Sequence, residues 1–248
     1  RNGLCYIIIN SKDVIIVMKY SKDREWYINL IICLFAFLSL EIFPFIISST
    51  FRNIIKNASL LNIINGVCMI AFLAFLYYKD LKSEFKTFKK SFKSSLKIGF
   101  KYYIMGIGAM ILSSLFISNF TGGGTSANES NVRELLLSYP FLMLINISII
   151  APISEEIIFR KSIHTIIKNK WVRATISGLL FGGAHLLTGD AIRLVDLLYL
   201  LPYGSLGFVF SLMDTDTKST MTSMSFHAIH NTATGVLLLL VYSLGVAI

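Results

Sequence analysis

The sequence has few charged residues, few prolines and few cysteines. Only 15% of its 248 residues are charged, whereas 54% are hydrophobic, and the mean hydropathy is +0.68. This composition argues against a soluble domain and is typical of a polytopic membrane protein. The three cysteines, Cys5, Cys33 and Cys68, show no metal-binding spacing, which argues against both a disulfide scaffold and a cysteine nucleophile.

The positive charge of the chain is concentrated in a few segments. There are 23 Lys and Arg against 14 Asp and Glu, and eight of the lysines lie between Lys79 and Lys101. In membrane proteins such clusters mark cytoplasmic loops rather than surfaces that bind nucleic acid. We therefore expect no nucleic-acid partner, a basic cytoplasmic loop at 79–101 and a cytoplasmic N-terminus.

Long apolar stretches predict transmembrane helices, because about 20 apolar residues in a helix cross a bilayer. Seven such stretches lie at about 26–48, 60–78, 98–118, 140–167, 172–189, 192–213 and 220–246. The last one is long enough to include a re-entrant end, so an eighth span remains open. The predicted fold class is an all-α polytopic membrane protein of seven to eight transmembrane helices, with a polar site inside the bundle.

The same pattern suggests three parts of the chain. Residues 18–139 are predicted to form the N-terminal transmembrane helices, and residues 140–248 the bundle that carries the site. Met18 opens a basic segment directly before the first long apolar stretch. Residues 1–17 are therefore interpreted as a non-native N-terminal extension.

Ionisable residues interrupt the predicted span at 140–167. Ionisable groups are costly inside a bilayer, so they normally face the protein interior and serve a function. Glu156 and Arg160 are one helical turn apart and can form an ion pair. Glu155 is rotated by about 100° from Glu156 and is expected to project into the bundle, where a desolvated carboxyl group can act as a general base or acid. An ion pair between helices would explain Glu156 and Arg160 but not Glu155.

Two further spans carry polar clusters. Phe181 and His185 lie one turn apart in the first of them, next to small residues that allow close helix packing. His227 and Asn231 lie one turn apart in the second and could donate hydrogen bonds to one oxyanion. His230 is rotated away from that face and is the less favoured histidine. Polar contacts between helices are the structural alternative for both clusters.

These three clusters resemble the CAAX-protease and bacteriocin-processing (CPBP, Abi-like) family of intramembrane glutamic endopeptidases. The family pattern is Glu-Glu-x-x-x-Arg, then Phe-x-x-x-His, then His-x-x-x-Asn. It is matched in order by Glu155-Glu156-x-x-x-Arg160, Phe181-x-x-x-His185 and His227-x-x-x-Asn231. The resemblance covers about residues 140–235.

The resemblance implies cofactor-independent hydrolysis of a peptide bond within the membrane. Glu155 and His185 would activate a water molecule, and His227 and Asn231 would stabilise the oxyanion. Glu156 and Arg160 would support Glu155. The expected partners are a peptide or protein substrate in or at the membrane, and the lipid bilayer. The Lys-, Ile- and Asn-rich composition suggests an AT-rich bacterial genome, so the expected location is a bacterial cytoplasmic membrane and a prenylated substrate is less favoured.

Three other functions are compatible with the sequence. A zinc hydrolase could use Glu155, His185 and His227 as ligands, although His-Glu-x-x-His is absent and Asn231 is a poor zinc ligand. A serine protease could use Ser205, but the sequence Gly204-Ser-Leu-Gly207 lacks the Gly-x-Ser-Gly spacing. A non-catalytic immunity protein, sensor or transporter could bind a peptide in the same pocket.

Overall fold

The computed structural model describes residues 4–10, 13–121, 125–187 and 194–245, and this part of the chain is a helical bundle with one short hairpin. The predicted all-α polytopic fold is confirmed. The helices in the described residues are α1 (Trp26–Phe51), α2 (Ala58–Lys90), α3 (Phe92–Thr121), α4 (Ala127–Ser138), α5 (Pro140–Ser162), α6 (Lys170–Leu186), α7 (Leu200–Thr217) and α8 (Thr220–Ser243).

Six segments within the described residues are long and apolar enough to cross a membrane. They are α1, α2, α3, α5, α8 and the segment Leu194–Thr217, in which a short 3₁₀ turn precedes α7. The predicted span at 172–189 corresponds to α6, which has 17 residues, and the last two residues of that prediction lie outside the described part. The predicted span at 220–246 contains one continuous helix up to Ser243.

A β-hairpin precedes the first helix. Strands β1 (Cys5–Asn10) and β2 (Asp13–Met18) pair antiparallel, with Cys5 opposite Met18. Most of the predicted extension at 1–17 therefore forms regular structure together with Met18. Its non-native origin remains a prediction.

The basic segment 79–101 is helical, whereas the sequence analysis predicted a loop. Helix α2 continues to Lys90 and α3 begins at Phe92, so that Ser91 alone joins them. The reason is local, because the stretch 79–90 contains no Pro or Gly and is rich in residues that form helices readily. The lysines therefore lie on the end of a helical hairpin.

Helices α6 and α7 pack closely through glycines. A Cβ atom on Gly178 would lie 2.7 Å from the backbone oxygen of Gly204, and one on Gly207 would lie 3.0 Å from the Cα atom of Gly178. Gly182 is equally crowded, with a Cβ position 3.0 Å from the Gly204 nitrogen. The predicted role in helix packing is confirmed for Gly182 but not for Gly183, where a Cβ atom would meet nothing within 4 Å, and Gly178, Gly204 and Gly207 share in the close contact.

Helix α5 lies at the centre of the bundle. All its residues from Glu156 to Ser162 are buried. The Phe159 ring packs edge-on against Phe37 of α1 and Phe181 of α6, with ring centroids 5.3 and 5.4 Å apart. At its C-terminal end Lys161 pairs with Glu84 of α2, with Nζ 2.5 Å from Oε1. The C-terminal part of α5 from Glu156 to Ser162 is therefore surrounded by protein, as ionisable groups in a membrane require.

Candidate active site

The carboxylates of α5 lie between two π-helical turns. These turns cover Asn146–Ile150 and Ile157–Ser162, and the α-helical segment Ala151–Glu156 separates them. The first π-turn ends where the Ala151 N–H donates to the Asn146 oxygen. Pro152 follows directly, and it has no backbone N–H to donate. Single π-turns inside α-helices are frequent at functional sites, since they rotate the side chains that follow.

Glu156 and Arg160 form the predicted ion pair. Arg160 Nη2 lies 3.0 Å from Glu156 Oε1, and both side chains are 0% exposed. The guanidinium carbon also lies over the rings of Phe181 and Phe210, at 4.6 and 5.7 Å from their centroids. A charge this deep needs a partner, because an isolated ion in a low-dielectric interior is strongly unfavourable. Glu156 and Arg160 therefore compensate each other.

His227 connects the two glutamates. Its Nδ1 atom is 2.9 Å from Glu156 Oε1, and its Nε2 atom is 3.7 Å from Glu155 Oε2. An ionised carboxylate only accepts hydrogen bonds, so Nδ1 donates and Nε2 is the ring nitrogen directed at Glu155. The imidazole is held between Phe181 and Phe210, whose ring centroids are 5.7 and 5.3 Å away. Glu156 thus orients His227, a contact that the sequence motifs do not indicate.

His185 is oriented by its own helix and by a tyrosine of α7. Its Nδ1 atom lies 2.8 Å from the backbone oxygen of Phe181, one turn earlier. Since a carbonyl oxygen only accepts, Nδ1 donates, and Nε2 is the acceptor nitrogen of the neutral ring. The imidazole also stacks on Tyr203, with centroids 4.6 Å apart and an interplanar angle of 24°.

Asn231 reaches back to the first π-turn. Its Nδ2 atom donates to the backbone oxygen of Ile147 at 3.0 Å. A carboxamide nitrogen carries two N–H groups, so this bond uses one of them and fixes the direction of the other. The π-turn therefore takes part in positioning a predicted site residue.

All four predicted catalytic residues line one cavity of about 730 Å³. Glu155, His185, His227 and Asn231 come from three different helices, and the tertiary structure brings them together in this cavity. His227 is nearly buried, whereas the Glu155 side chain is 21% exposed and faces the cavity. A second, shallower groove of about 540 Å³ runs along α8 between Ala228 and Leu240 and is lined by apolar residues and Thr232.

His230 also lines this cavity, although its position on the helix predicted that it faces away from the site. Three residues of an α-helix turn through about 300°, so His230 is only about 60° from the direction of His227. The cavity is wide enough that both His227 and His230 line it. The ring of His230 lies beside Tyr103, whose hydroxyl is 3.4 Å from Nδ1.

The zinc and serine alternatives from the sequence gain no support from the geometry. Among the described residues, no group of three or more His, Cys, Asp or Glu side chains is arranged so that it could hold a metal ion. Ser205 Oγ donates to the Pro202 oxygen of its own helix at 2.9 Å. This hydroxyl therefore makes a local helix contact.

A serine, a histidine and an aspartate meet elsewhere, near the end of the bundle that carries Lys161. His164 Nε2 lies 3.0 Å from Ser211 Oγ, and His164 Nδ1 lies 3.1 Å from Asp214 Oδ2. The order of contacts is that of a serine hydrolase, but Ser211 is 0% exposed. A nucleophile must reach its substrate, so we interpret this cluster as a structural network between α5 and α7. No sequence motif brings these three residues together.

The sequence model of a family described as type II CAAX prenyl endopeptidase Rce1-like matches residues 137–233. A protein of Bacillus subtilis (strain 168), provisionally named membrane peptidase YdiL, is 26% identical over 227 residues, which cover 85% of this chain and 87% of that protein. No solved structure matches the chain.

A second relative is an uncharacterised protein of Mycoplasma capricolum subsp. capricolum (strain California kid). It is 28% identical over 184 residues, which cover 69% of this chain and 52% of that protein. The family match spans all three motifs, so the predicted resemblance to the CAAX-protease family is confirmed. The family match, the name of the Bacillus relative and the six apolar segments together support a multi-pass membrane peptidase.

Proposed function

We propose that this protein is an intramembrane endopeptidase that hydrolyses a peptide bond of a hydrophobic or membrane-associated substrate with a glutamate-activated water molecule. The coarser function, a membrane peptidase, is supported by the family match and by the Bacillus relative. The observation that carries the finer proposal is the position of His227 between Glu155 and Glu156, in the cavity that His185 also lines.

Glu155 and His185 are the proposed base. In the first step one of them takes a proton from water while the water oxygen attacks the carbonyl carbon of the substrate. The carbonyl oxygen becomes an oxyanion. A positioned general base of this kind contributes about 10²–10⁴ in rate. Glu155 suits the role because its carboxylate faces the cavity, and His185 suits it because its ring lines the same cavity and is held by the Phe181 oxygen.

His227 and Asn231 are the proposed oxyanion donors. The second N–H of Asn231 is the donor that remains after its bond to Ile147, and Nε2 of His227 donates beside it when the ring carries a proton on both nitrogens, with Nδ1 bonded to Glu156. When the oxyanion collapses, the C–N bond breaks, and the leaving amine takes the proton from the base. Glu156 and Arg160 act through His227 and are positioning residues.

The proposed location is a bacterial cytoplasmic membrane, with the lysines of 79–101 in the cytoplasm. The proposed partners are a peptide or protein substrate and the bilayer. A peptide-binding immunity protein would use the same pocket without hydrolysis.

The test is a cleavage assay with the purified protein in detergent. A mixed pool of peptides, some of them prenylated, is incubated with it, and cleavage is followed by mass spectrometry. Parallel samples contain Glu155→Gln, a metal chelator, or the control Glu41→Gln, which replaces an exposed glutamate of α1. The proposal requires cleavage that Glu155→Gln abolishes and that chelation and Glu41→Gln leave intact. Loss on chelation would favour the zinc hydrolase, and a complete lack of cleavage would favour the immunity protein.

A further inference from the structure

The two ends of the helical bundle differ in charge. One end carries the lysines of 79–101 together with Lys161, Lys170 and Lys218. The opposite end carries the start of α2, the end of α3 and helix α4. Ionisable side chains of both signs occur there, including the ion pair between Arg133 and Glu129 of α4, with Nε 2.8 Å from Oε1. The excess of positive charge is therefore confined to one end, which we call the basic end.

The cavity lies away from the basic end. On α3 its lining residues are Met110, Ser114, Ile117 and Ser118, all in the second half of the helix, and on α2 it is lined by Asn62, in the first turns. On α7, which runs towards the basic end, the lining includes Pro202 and Tyr203 near the start. Helices α2, α3 and α7 therefore contribute parts that are remote from the lysines, whereas Glu155 and His227, at the deep end of the cavity, lie six and nine positions from Lys161 and Lys218.

The cavity is most open at α4. Thr125, Ser118 and Asn131 line it and are exposed, whereas His227 at the other end of the cavity is 4% exposed. We call the rim around Ser118, Thr125, Asn128 and Asn131 the mouth. Hydroxyl and carboxamide groups can pair with the N–H and C=O groups of a peptide chain. Below the mouth, apolar residues such as Met110, Met143 and Leu206 line the way to Glu155.

We propose that the cavity takes its substrate from the non-cytoplasmic side of the membrane, as a peptide segment that enters through this mouth beside α4. The proposal rests on the proposed peptidase function and adds the side and the class of substrate. Basic ends of membrane proteins face the cytoplasm, so the mouth at the other end faces outward. The substrate is then a secreted polypeptide, or the external part of a membrane-attached one, and not a cytoplasmic C-terminus.

Three serines of α3 allow a matched test of this orientation. Ser94 lies among the lysines and is exposed, whereas Ser114 and Ser118 line the cavity. Ser94 and Ser114 are 20 positions apart, which is about 30 Å along a helix. Each serine is replaced singly by cysteine in the full-length chain, and the parent protein with its natural cysteines serves as background. Intact cells are treated with a membrane-impermeant thiol reagent, and a second sample is permeabilised first.

The proposal expects Ser114→Cys and Ser118→Cys to be labelled equally before and after permeabilisation. It expects Ser94→Cys to exceed the parent background only after permeabilisation. The reverse pattern would place the mouth in the cytoplasm and would overturn the proposal. Absence of labelling at both cavity positions even after permeabilisation would overturn it too, because water would then not reach the cavity from this mouth.

The labelling result is independent of catalysis. The cleavage assay with the parent protein is run on its own, so labelling from outside without any cleavage would refute the peptidase function and leave the entrance established. Cleavage together with the reversed labelling would refute only the entrance. The two cavity positions also give separate readouts, so the test survives if one cysteine variant does not fold.

Discussion

His227 donates a hydrogen bond from Nδ1 to Oε1 of Glu156 at 2.9 Å, and Arg160 Nη2 lies 3.0 Å from the same oxygen. One carboxylate oxygen therefore holds both a buried cation and a proposed catalytic ring. This arrangement gives the second glutamate of the motif a definite task, which is to orient His227.

Replacing either partner of the buried ion pair should destabilise the protein strongly. Glu156→Gln leaves the charge of Arg160 uncompensated, and Arg160→Gln does the same to Glu156. Each single change is expected to cost about 3–5 kcal/mol, whereas the double variant Glu156→Gln/Arg160→Gln should recover part of this loss. Thermal unfolding in detergent measures the effect. Additive losses in the double variant would contradict the assigned coupling.

Removing the carboxamide of Asn231 should slow catalysis and leave binding nearly unchanged. Loss of one oxyanion donor reduces kcat by about 10²–10³, because the bond forms only in the transition state. Asn231→Ala is compared with Thr232→Ala, which alters the neighbouring residue in the groove along α8. The measurement is kcat and KM on a peptide identified in the cleavage assay. A higher KM with an unchanged kcat would assign Asn231 to substrate binding instead.

Two glycines of α6 should respond in opposite ways to alanine. A Cβ at Gly178 would lie 2.7 Å from the backbone oxygen of Gly204, whereas a Cβ at Gly183 would meet nothing within 4 Å. Gly178→Ala is expected to cost about 1–3 kcal/mol, since α6 and α7 must separate. Gly183→Ala is expected to stabilise the helix by about 0.4–1 kcal/mol. Equal unfolding temperatures for the two variants would disprove the close packing at Gly178.

Tyr203 connects helix α4 to His185, and removing its hydroxyl should loosen α4. Its hydroxyl lies 2.8 Å from Ser126 Oγ and 3.4 Å from Asn128 Nδ2, while its ring stacks on His185. Tyr203→Phe keeps the stacking and removes the hydroxyl, at a cost of about 0.5–1.5 kcal/mol. Hydrogen exchange of 125–138 should become faster, because α4 loses this contact with α7.

The control for this change is Tyr242→Phe, which removes a hydroxyl from an exposed tyrosine near the end of α8. It should leave exchange of α4 unchanged. If Tyr203→Phe also left it unchanged, the contact would have no part in holding α4.

The membrane-spanning character was predictable because each apolar span reports its environment locally. About 20 apolar residues suffice to predict a helix in lipid, without knowledge of its neighbours. The secondary-structure prediction was wrong where two sequence signals conflicted. In 79–101 the charge indicated a loop, but helix propensity extends α2 and α3 up to Ser91. The candidate residues were predictable for a related reason. Ionisable groups such as Glu155, His185 and His227 are costly in a membrane span, so they are rarely present unless they have a function.

The contacts among these residues were not predictable, because each joins groups that are far apart in the chain. Glu156 and His227 are 71 positions apart, and Asn231 and Ile147 are 84 apart. Helical periodicity shows which residues share a face of one helix, but it does not give the rotation of that helix against the next one. The inclusion of His230 in the cavity illustrates the limit, since its angle to His227 was known and the width of the cavity was not.

By itself, the sequence determined an all-α membrane protein with three polar motifs on three helices, because hydropathy and helical spacing are local properties. Tertiary structure alone decided that Glu156 orients His227, that π-turns surround the glutamates, and that the cavity opens beside α4, away from the basic end. The physical reason is that hydrogen bonds and cavities depend on how the helices rotate and pack against one another, and in this bundle that packing depends on contacts such as Gly178 against Gly204.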